Sequence, residues 1–382
     1  NQSRMAPPDE GRAQLNLWMG LIRERERVDQ EAEARALLES DNGHFHIEGE
    51  PAVDFTKNDL EMRDSIGCGQ FAEVVRRAVY TPRMMDIAVK IIYIIDRPSG
   101  NNDGKGEDNM IREAENARRA VHQNVVWLHG FVVEQGTCYM CMELMQANLD
   151  EVKKVMHDQA GLDIGKKSGI EEIESFLGCV TVAVVDGLAF LRNNARVMHR
   201  DIKPNNIMIN DRGQVKICDF GVSKRLHTGI SNSRAHTSGA GCISYMAPEQ
   251  FSVDVATSGY GSKAGVWSLA ISLFECALGR FAYEGQDFTI SILIQTEDPP
   301  RINRDSGFSL ELRNFVVACL FKYEPDRASL VPTDENCLQK KNFYKEHVKR
   351  GDDARKENVI DVLNTVTPHL PALRSSLERA HN

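Results

Sequence analysis

Apolar and polar positions divide the chain into a strand-rich part followed by a helix-rich part. Short apolar runs of strand length lie at 74–78, 87–92, 125–133 and 139–144, and a stretch of good helix formers, 110–121, lies among them. From about residue 171 the apolar residues recur at helical spacing, over 173–191, 266–278 and 310–321. This order predicts an α+β fold of two lobes, the first mainly of strands and the second mainly of helices.

The two ends of the chain differ from this middle part. Residues 1–59 predict an extension, because its charged stretch at 23–40 has too few apolar positions to bury much surface by itself. The tail 346–382 is also charged, and an amphipathic stretch lies at 359–366. We therefore divide the chain into an N-terminal extension (1–59), a main domain (60–345) and a C-terminal tail (346–382).

Composition and charge exclude several classes of function. The 382 residues are 42% hydrophobic and 26% charged, and 55 Asp and Glu against 46 Lys and Arg give a formal net charge of −9. This excess of negative charge argues against binding to nucleic acid and against adhesion to an anionic membrane. The apolar run 268–278 is too short for membrane insertion, and 15–22 is a poor secretory signal. The nine scattered cysteines fit reduced thiols, so we expect a cytoplasmic or nuclear protein.

Two glycines and a lysine give the first sign of phosphate chemistry. Residues 66–74 read Ile-Gly-Cys-Gly-Gln-Phe-Ala-Glu-Val, and the two glycines let a hairpin backbone approach a phosphate closely. Glycine pairs are also ordinary hairpin residues, so this signal is weak by itself. Lys90 follows in the apolar strand 87–92, where a buried ammonium needs an anion. Glu113 is its natural partner, with Glu115 a weaker alternative.

Three further motifs follow the lysine in order. Residues 199–206 read His-Arg-Asp-Ile-Lys-Pro-Asn-Asn, residues 219–221 read Asp-Phe-Gly, and residues 247–249 read Ala-Pro-Glu. One such triplet arises by chance, but the whole ordered set is the signature of protein kinases. From about residue 60 to about residue 345 the chain therefore resembles the protein kinase family. The resemblance implies a two-lobed fold, with a small mainly β N-lobe that carries one key helix and a larger mainly α C-lobe.

The resemblance also implies roles for individual residues. Lys90, held by Glu113, would contact the α- and β-phosphates of ATP. Asp219 and Asn206 would bind magnesium, Asp201 would accept the proton of the substrate hydroxyl, and Lys203 would lie near the γ-phosphate. The nucleotide would be enclosed by the phosphate loop, the lysine strand and the connection between the lobes, where Met142 is the gatekeeper. These ATP-binding residues are Ile66, Gly67, Cys68, Gly69, Gln70, Phe71, Ala72, Val74, Ala88, Lys90, Met142, Glu143 and Met145.

Local phrases narrow the resemblance to MAP kinase kinases. Residues 141–145 read Cys-Met-Glu-Leu-Met and 218–223 read Cys-Asp-Phe-Gly-Val-Ser, while 240–242 read Ala-Gly-Cys, which is typical of the branch that activates stress-responsive MAP kinases. Counting back from Ala240 places Ser233 and Thr237 at the two activating phosphorylation positions, and their phosphates would pair with Arg200. The alternative is that both are ordinary solvated loop residues.

The subfamily also implies the partners. The substrate would be a stress-activated MAP kinase, phosphorylated on Thr and Tyr of its activation loop, and the activator would be an upstream MAP kinase kinase kinase. In the extension, Arg12 with Leu15 and Leu17 is a faint version of a docking peptide, although one arginine and two leucines also occur together by chance. The segment 343–366 matches in position the region that binds upstream activators, but its leucines and valines can equally pack on the C-lobe.

Several positions depart from the family pattern. Ala72 stands in place of the third glycine of the phosphate loop, and Lys224 stands in a lengthened loop where glycine is common. Gly265 replaces an aspartate that hydrogen-bonds the backbone of the His-Arg-Asp loop, and unpaired buried donors cost about 1–3 kcal/mol. This replacement puts catalytic efficiency in question. Arg327, in contrast, stands where kinases place the arginine that pairs with Glu249.

Three functions are therefore considered. The first is an active dual-specificity MAP kinase kinase, the second a catalytically impaired scaffold in a MAP kinase cascade, and the third a Ser/Thr kinase with other substrates. We favour the first because degenerate kinases usually lose at least one residue of a set that is intact here: Lys90, Glu113, Asp201, Asn206 and Asp219.

Two remaining patterns have ordinary structural interpretations. Cys138 and Cys141 form a C-x-x-C, but residues three apart on a strand point to opposite faces, so we expect buried thiols and no zinc site. His44 and His46 have no further ligand pattern around them, and we expect solvated loop histidines. Cys218 precedes Asp219, and an inert thiol is the default there.

Overall fold

The computed structural model of the chain describes residues 43–68, 74–93, 120–158, 167–195, 197–219, 243–251 and 261–381. These residues form a strand-rich N-lobe followed by a helical C-lobe. The two-lobed α+β fold is thus confirmed. The helix expected at 110–121 lies outside the described residues.

An antiparallel sheet forms the N-lobe. The strands of this lobe are β1 (Gly43–Phe45), β2 (Val53–Phe55), β3 (Leu60–Cys68), β4 (Val74–Tyr80), β5 (Met85–Tyr93), β6 (Leu128–Glu134) and β7 (Thr137–Glu143). Strands β3 to β7 make one sheet in the order β3-β4-β5-β7-β6. The central strand β5 is buried without interruption from residue 87 to residue 92, which explains its continuous apolar run. Lys90 is the one charged side chain inside this run.

A short hairpin, β1–β2, covers one side of this sheet. Phe45 and Phe55 are 0% and 1% exposed, and the Phe45 ring stacks on Tyr80 with its centroid 3.8 Å away and on His129 at 5.0 Å. The backbone N–H of His46 donates to the His129 carbonyl at 2.6 Å. Residues 43–59, which sequence analysis placed in the extension, therefore pack on the N-lobe. His44 was expected in a loop, but it lies on β1 and is paired with Asp54 on β2. Its Nδ1 lies 2.8 Å from Oδ1 of Asp54.

The C-lobe is built around two buried helices. Its elements are β8 (Ala147–Asn148), α1 (Leu149–Asp158), α2 (Lys167–Phe190), β9 (Ile207–Ile209), β10 (Val215–Ile217), α3 (Lys263–Leu278), α4 (Asp287–Thr296) and α5 (Leu310–Cys319). Helix α2 and the turn after it are long and apolar enough to cross a bilayer, but 78% of the most apolar window is buried inside the protein. The apolar surface of α2 is therefore used for packing against its neighbours, which include α3 and β10.

The C-terminal tail packs on the C-lobe. Together with residues 342–345 it forms α6 (Asn342–Lys349), and it continues as α7 (Asp352–Val366) and α8 (Leu370–His381). The apolar positions that face the lobe are buried: Val359, Val362, Leu363, Val366, Leu370 and Leu373. Helices α6 and α7 pack against α2, and α7 and α8 pack against α1. Of the two interpretations left open for these leucines and valines, packing on the C-lobe describes their contacts.

Candidate active site

Lys90 is held at the centre of the N-lobe sheet and meets an acid from the C-lobe. It is paired in register with Val75 on β4 and Met140 on β7, and it is 7% exposed. Its Nζ lies 3.0 Å from Oδ1 of Asp219. A buried ammonium requires such a partner. Glu113, the other expected partner, lies outside the described residues.

Asp219 follows β10 and has a φ of +66°, in the left-handed region that aspartate tolerates better than most residues. Burial by itself would raise the pKa of this carboxyl group, but the Lys90 ammonium more than compensates and holds the pKa below the usual 3.8. The carboxylate is therefore ionised at neutral pH. An ionised, buried carboxylate of this kind is suited to binding a metal cation.

The turn that carries Asp201, Lys203 and Asn206 brings three functional groups together. Residues Pro204–Asn206 form a short 3₁₀ turn. Lys203 Nζ lies 3.0 Å from Asp201 Oδ2, and Asn206 Nδ2 donates to the same oxygen at 3.1 Å and to the Asp201 carbonyl at 2.7 Å. The Asp201 carboxylate is thus oriented by a cation and an amide, as expected of a proton acceptor in a fixed position.

A backbone hydrogen bond places Asn206 next to Asp219. The Cys218 N–H donates to the Asn206 carbonyl at 3.0 Å, which places Asn206 beside the end of β10. Asn206 directs its Nδ2 toward Asp201, so its Oδ1 is the atom available to a metal. Among the described residues there is no cluster of three or more His, Cys, Asp or Glu side chains that would hold a metal by itself.

The connection between the lobes lies at the other end of the cleft. Ala88 on β5 is paired with Met142 on β7, and both belong to the expected adenine site. The Glu143 carboxylate accepts from the Trp127 N–H at 2.7 Å and from Lys216 Nζ at 2.7 and 2.8 Å. Because Lys216 is on β10, this pair fixes the connection to the strand that leads to Asp219. No motif in the sequence indicates this role of Lys216.

The other described ATP-binding positions lie on β3 and β4, except Met145, which lies between β7 and β8. Ile66 is 36% exposed, and Gly67 and Cys68 are paired in register with Val75 and Val74. A Cβ at Gly67 would lie 3.8 Å from Val75, an ordinary contact, so packing does not require glycine there. A close phosphate would require it. Four further positions of this set lie outside the described residues: Gly69, Gln70, Phe71 and Ala72.

Comparison with known proteins decides the family. The protein kinase domain family matches residues 60–343. The MAP kinase kinase sek-1 of Caenorhabditis elegans, a dual specificity enzyme by name, is 32% identical over 273 residues, 71% of this chain and 75% of that protein. The chain belongs to the protein kinase family, within its MAP kinase kinases.

Two further relatives support the same family assignment. Human dual specificity mitogen-activated protein kinase kinase 7 is 32% identical over 331 residues, 83% of this chain and 72% of that protein. The Drosophila melanogaster kinase hemipterous, of the same class by name, is 34% identical over 275 residues, 71% of this chain, but the match spans 21% of that longer protein. The identification made from the sequence motifs is confirmed.

The kinase has an oxygen donor set that fits magnesium. Mg²⁺ in phosphoryl-transfer sites is bound by one or two protein oxygens together with the phosphates of the substrate. The ionised Asp219 carboxylate and the amide oxygen of Asn206 would supply these oxygens, and the hydrogen bond from the Cys218 N–H to the Asn206 carbonyl keeps the two residues close together. The donor set favours a hard cation over a thiophilic metal.

The Ala-Pro-Glu segment of this kinase is fixed by a buried arginine. Arg327 is 0% exposed and forms a bidentate pair with Glu249, at 2.6 and 2.8 Å. Its guanidinium also lies over the Trp267 ring, 5.2 Å from the centroid. The pair expected from the sequence is therefore present, and it anchors the segment that follows the activation loop onto α3.

A second buried network holds the same segment and was missed by sequence analysis. Glu275 on α3 is 1% exposed; it accepts from Lys153 Nζ on α1 and from the Tyr245 hydroxyl, both at 2.5 Å. Burial and the neighbouring carboxylate raise the pKa of Tyr245, which keeps its hydroxyl protonated and donating. No short motif marks this network, because its residues come from three distant parts of the chain.

Gly265 and Arg200 are two further positions that the sequence singled out, and the structure describes both. Gly265 lies in the first turn of α3, and a Cβ there would be 3.8 Å from Leu188, so the fold has room for a side chain. Arg200 adopts a φ of +62° next to the buried His199, whose pKa is lowered by burial, so that its ring is neutral at pH 7. Ser233 and Thr237, the expected phosphorylation positions, lie outside the described residues.

Proposed function

We propose that the protein is an active, ATP- and magnesium-dependent dual-specificity kinase that phosphorylates Thr and Tyr in the activation loop of a stress-activated MAP kinase. The observation that carries the proposal is the convergence of Lys90 and Asp219, 3.0 Å apart, beside the Asp201–Lys203–Asn206 cluster. The proposal is also supported by the names of the relatives, several of which are dual specificity MAP kinase kinases.

Each residue of this cluster has a task that its position allows. Lys90 binds the α- and β-phosphates and moves between them and Asp219 as the nucleotide enters. Asp219 and Asn206 would hold magnesium, which would supply positive charge to offset the charge of the nucleotide phosphates. Asp201 orients the substrate hydroxyl and accepts its proton, while Lys203 donates to the transferred γ-phosphate. Positioning and charge neutralisation supply most of the acceleration in this class of reaction.

A scaffold without catalysis is the second candidate, and Gly265 is the observation that favours it. The intact cluster speaks against it, because a scaffold has no use for an ionised Asp219 beside Lys90 and an oriented Asp201. A Ser/Thr kinase with unrelated substrates is the third candidate. Substrate profiling distinguishes it, because it predicts no preference for MAP kinases.

The direct test is a kinase assay against a panel of purified inactive MAP kinases. We expect wild type to phosphorylate a stress-type member on both Thr and Tyr and Asp201→Asn to lose this activity by about 10²-fold or more, since the proton acceptor is removed. The matched control is Asp211→Asn, the same change on an exposed turn between β9 and β10, which should leave the rate unchanged. Equal rates for wild type and Asp201→Asn would refute the assignment of the proton acceptor.

Activation is proposed to occur by phosphorylation of Ser233 and Thr237. Phosphates at these positions would pair with Arg200 and order the loop. We expect the double variant Ser233→Asp, Thr237→Asp to raise the basal rate measured in the same assay. An unchanged rate in the double variant, while wild type responds to an upstream MAP kinase kinase kinase, would place the switch at other residues.

A reducing compartment, the cytoplasm or the nucleus, is proposed for the protein. Seven cysteines whose side chains the structure describes are free thiols, and burial raises the pKa of most of them, for example of Cys138 to about 12. Imaging of the tagged chain in cells tests this location. Recovery of the protein from the culture medium would contradict it.

A further inference from the structure

The last helix of the chain reaches the connection between the lobes. Arg374 on α8 donates from Nη2 to the Gln146 carbonyl at 2.9 Å. Its Nε and Nη2 also donate to Oε1 and Oε2 of Glu151, at 2.6 and 3.2 Å. Gln146 directly follows Met145, whose backbone is expected to bind adenine. The contact therefore lies one residue from the proposed nucleotide site, although Arg374 is 223 residues beyond Glu151.

Glu151 fixes the first turn of α1, which begins where the connection ends. Its carboxylate accepts from the Asn148 N–H at 3.0 Å, and the Asn148 side chain accepts from the Glu151 N–H at 2.9 Å. This reciprocal arrangement is a capping box, which satisfies two backbone donors at the start of a helix. Because Glu151 is 8% exposed, its charge needs a cation nearby, and Arg374 is the cation paired with it in the described part of the chain.

The same turn is connected to both ends of the active site. The Gln146 N–H donates to the Ile209 carbonyl on β9 at 2.8 Å, so the Gln146 peptide is held by β9 on one side and by Arg374 on the other. Asp150, the neighbour of Glu151, accepts from the side chain of Asn205 at 3.4 Å. Asn205 precedes the magnesium residue Asn206. The position of α1 is thus shared between the adenine end and the metal end of the cleft.

We propose that Arg374 is a positioning residue for nucleotide binding, and that α8 fixes the connection between the lobes through this residue. The inference rests on the proposed function, since it concerns the nucleotide site of the kinase. Arg374 does not touch the nucleotide in this proposal. It holds the Gln146 carbonyl and neutralises Glu151, so that the backbone of Glu143 to Met145 keeps the geometry that adenine requires.

The test measures binding of a non-hydrolysable ATP analogue with magnesium to the full chain by calorimetry. We expect Arg374→Ala to weaken binding about three- to ten-fold, because a buried carboxylate loses its partner and the connection loosens. The affinity of Arg374→Lys for the analogue should be intermediate, since lysine keeps the charge but cannot form the bidentate contact with Glu151. In kinetic assays the KM for ATP should rise while the KM for the protein substrate stays unchanged, a separation that general destabilisation would not produce.

The matched control is Arg355→Ala in α7. Arg355 is also a tail arginine, and it donates to the carbonyls of His347 and Val348 and to Asp352, away from the connection. We expect it to leave nucleotide affinity unchanged. Equal affinities for wild type and folded Arg374→Ala, or an equal loss in Arg355→Ala, would overturn the proposal. If wild type itself binds no nucleotide, the proposed function fails and not only the role of Arg374.

A second variant keeps the proposal testable should Arg374→Ala fold poorly. Glu151→Gln retains an acceptor for the Asn148 N–H, since glutamine also serves in a capping box, but it removes the charge that Arg374 neutralises. We expect Glu151→Gln to weaken binding of the analogue, and adding Arg374→Lys to it should cost less affinity than Arg374→Lys costs in wild type, because the pair acts as a unit. Fully additive effects of the two substitutions on affinity would show that Arg374 does not act through Glu151.

Discussion

The Asp201 carboxylate shows how neighbouring side chains determine what a residue can do. Lys203 and Asn206 both approach Oδ2, at 3.0 and 3.1 Å, and the Asn206 amide also holds the Asp201 carbonyl. The side chain is therefore fixed from two directions before any substrate arrives. Preorganisation of this kind is the main contribution that a protein can make to a reaction that consists largely of positioning.

Gly265 is the residue at which this kinase departs most from its family, and the fold has room for the missing side chain. We expect Gly265→Asp to raise both kcat and the melting temperature, because the family resemblance implies that a carboxylate there accepts hydrogen bonds from the backbone of the His-Arg-Asp loop, and unpaired buried donors cost about 1–3 kcal/mol. A thermal melt and a kinase assay on the same preparation measure the two effects.

The control for this variant is Gly265→Ala. A Cβ at this position meets Leu188 at 3.8 Å, an ordinary contact, so alanine should stabilise the helix by about 0.5–1 kcal/mol without changing kcat. A kcat that rises equally in both variants would show that helix stability, and not the carboxylate, limits catalysis.

Among the elements, the β1–β2 hairpin has the clearest structural role. It lies before the segment that matches the protein kinase domain family, which begins at residue 60, yet it buries two phenylalanines against the N-lobe. The aromatic stack of Phe45 between Tyr80 and His129 supports the sheet that carries Lys90. We infer that the folded N-lobe of this kinase includes residues 43–59, in addition to the matched segment.

We expect Phe45→Ala to destabilise the N-lobe by about 3–5 kcal/mol, because it removes a fully buried ring from a packed aromatic cluster. Urea unfolding, followed by the tryptophan fluorescence of the whole chain, measures the loss. Val53→Ala on the partner strand is the control; Val53 is 42% exposed, and its loss should cost far less. Equal costs for the two substitutions would mean that the hairpin is not packed as described.

At the scale of the whole molecule, most of what positions the site is long-range and has no local sequence pattern. The motifs identified Lys90, Asp201, Asn206 and Asp219, because each motif is contiguous and chemically specific. Pairs such as Glu143 with Lys216, or Glu151 with Arg374, join residues 73 and 223 positions apart, so spacing cannot predict them. From the sequence alone, charged residues are predicted to be exposed to solvent, and only the fold shows which of them are buried.

The short elements were missed for a related reason. Two three-residue strands, β1 and β2, are too short to show a two-residue period, so residues 43–59 were assigned to a charged extension. Helices α2, α3 and α5 were predicted because their apolar positions repeat over several turns; the predicted ends of α3 and α5 agree within about three residues, but α2 begins at residue 167 and not at 173. Tail packing was left open by the sequence, since an amphipathic helix can face either a lobe or a partner.

The central claim is that Lys90 from the N-lobe and Asp219 with Asn206 from the C-lobe converge on a magnesium-bound nucleotide. Calorimetry of a non-hydrolysable ATP analogue, with and without magnesium, tests it most directly on wild type, Lys90→Met, Asp219→Asn and the control Lys167→Met, a lysine whose side chain is 92% exposed. We predict magnesium-dependent binding to wild type and Lys167→Met, at least about tenfold weaker binding to Lys90→Met, and loss of the magnesium dependence in Asp219→Asn. Absence of binding to wild type at millimolar magnesium, or equal affinity in all four proteins, would contradict the account.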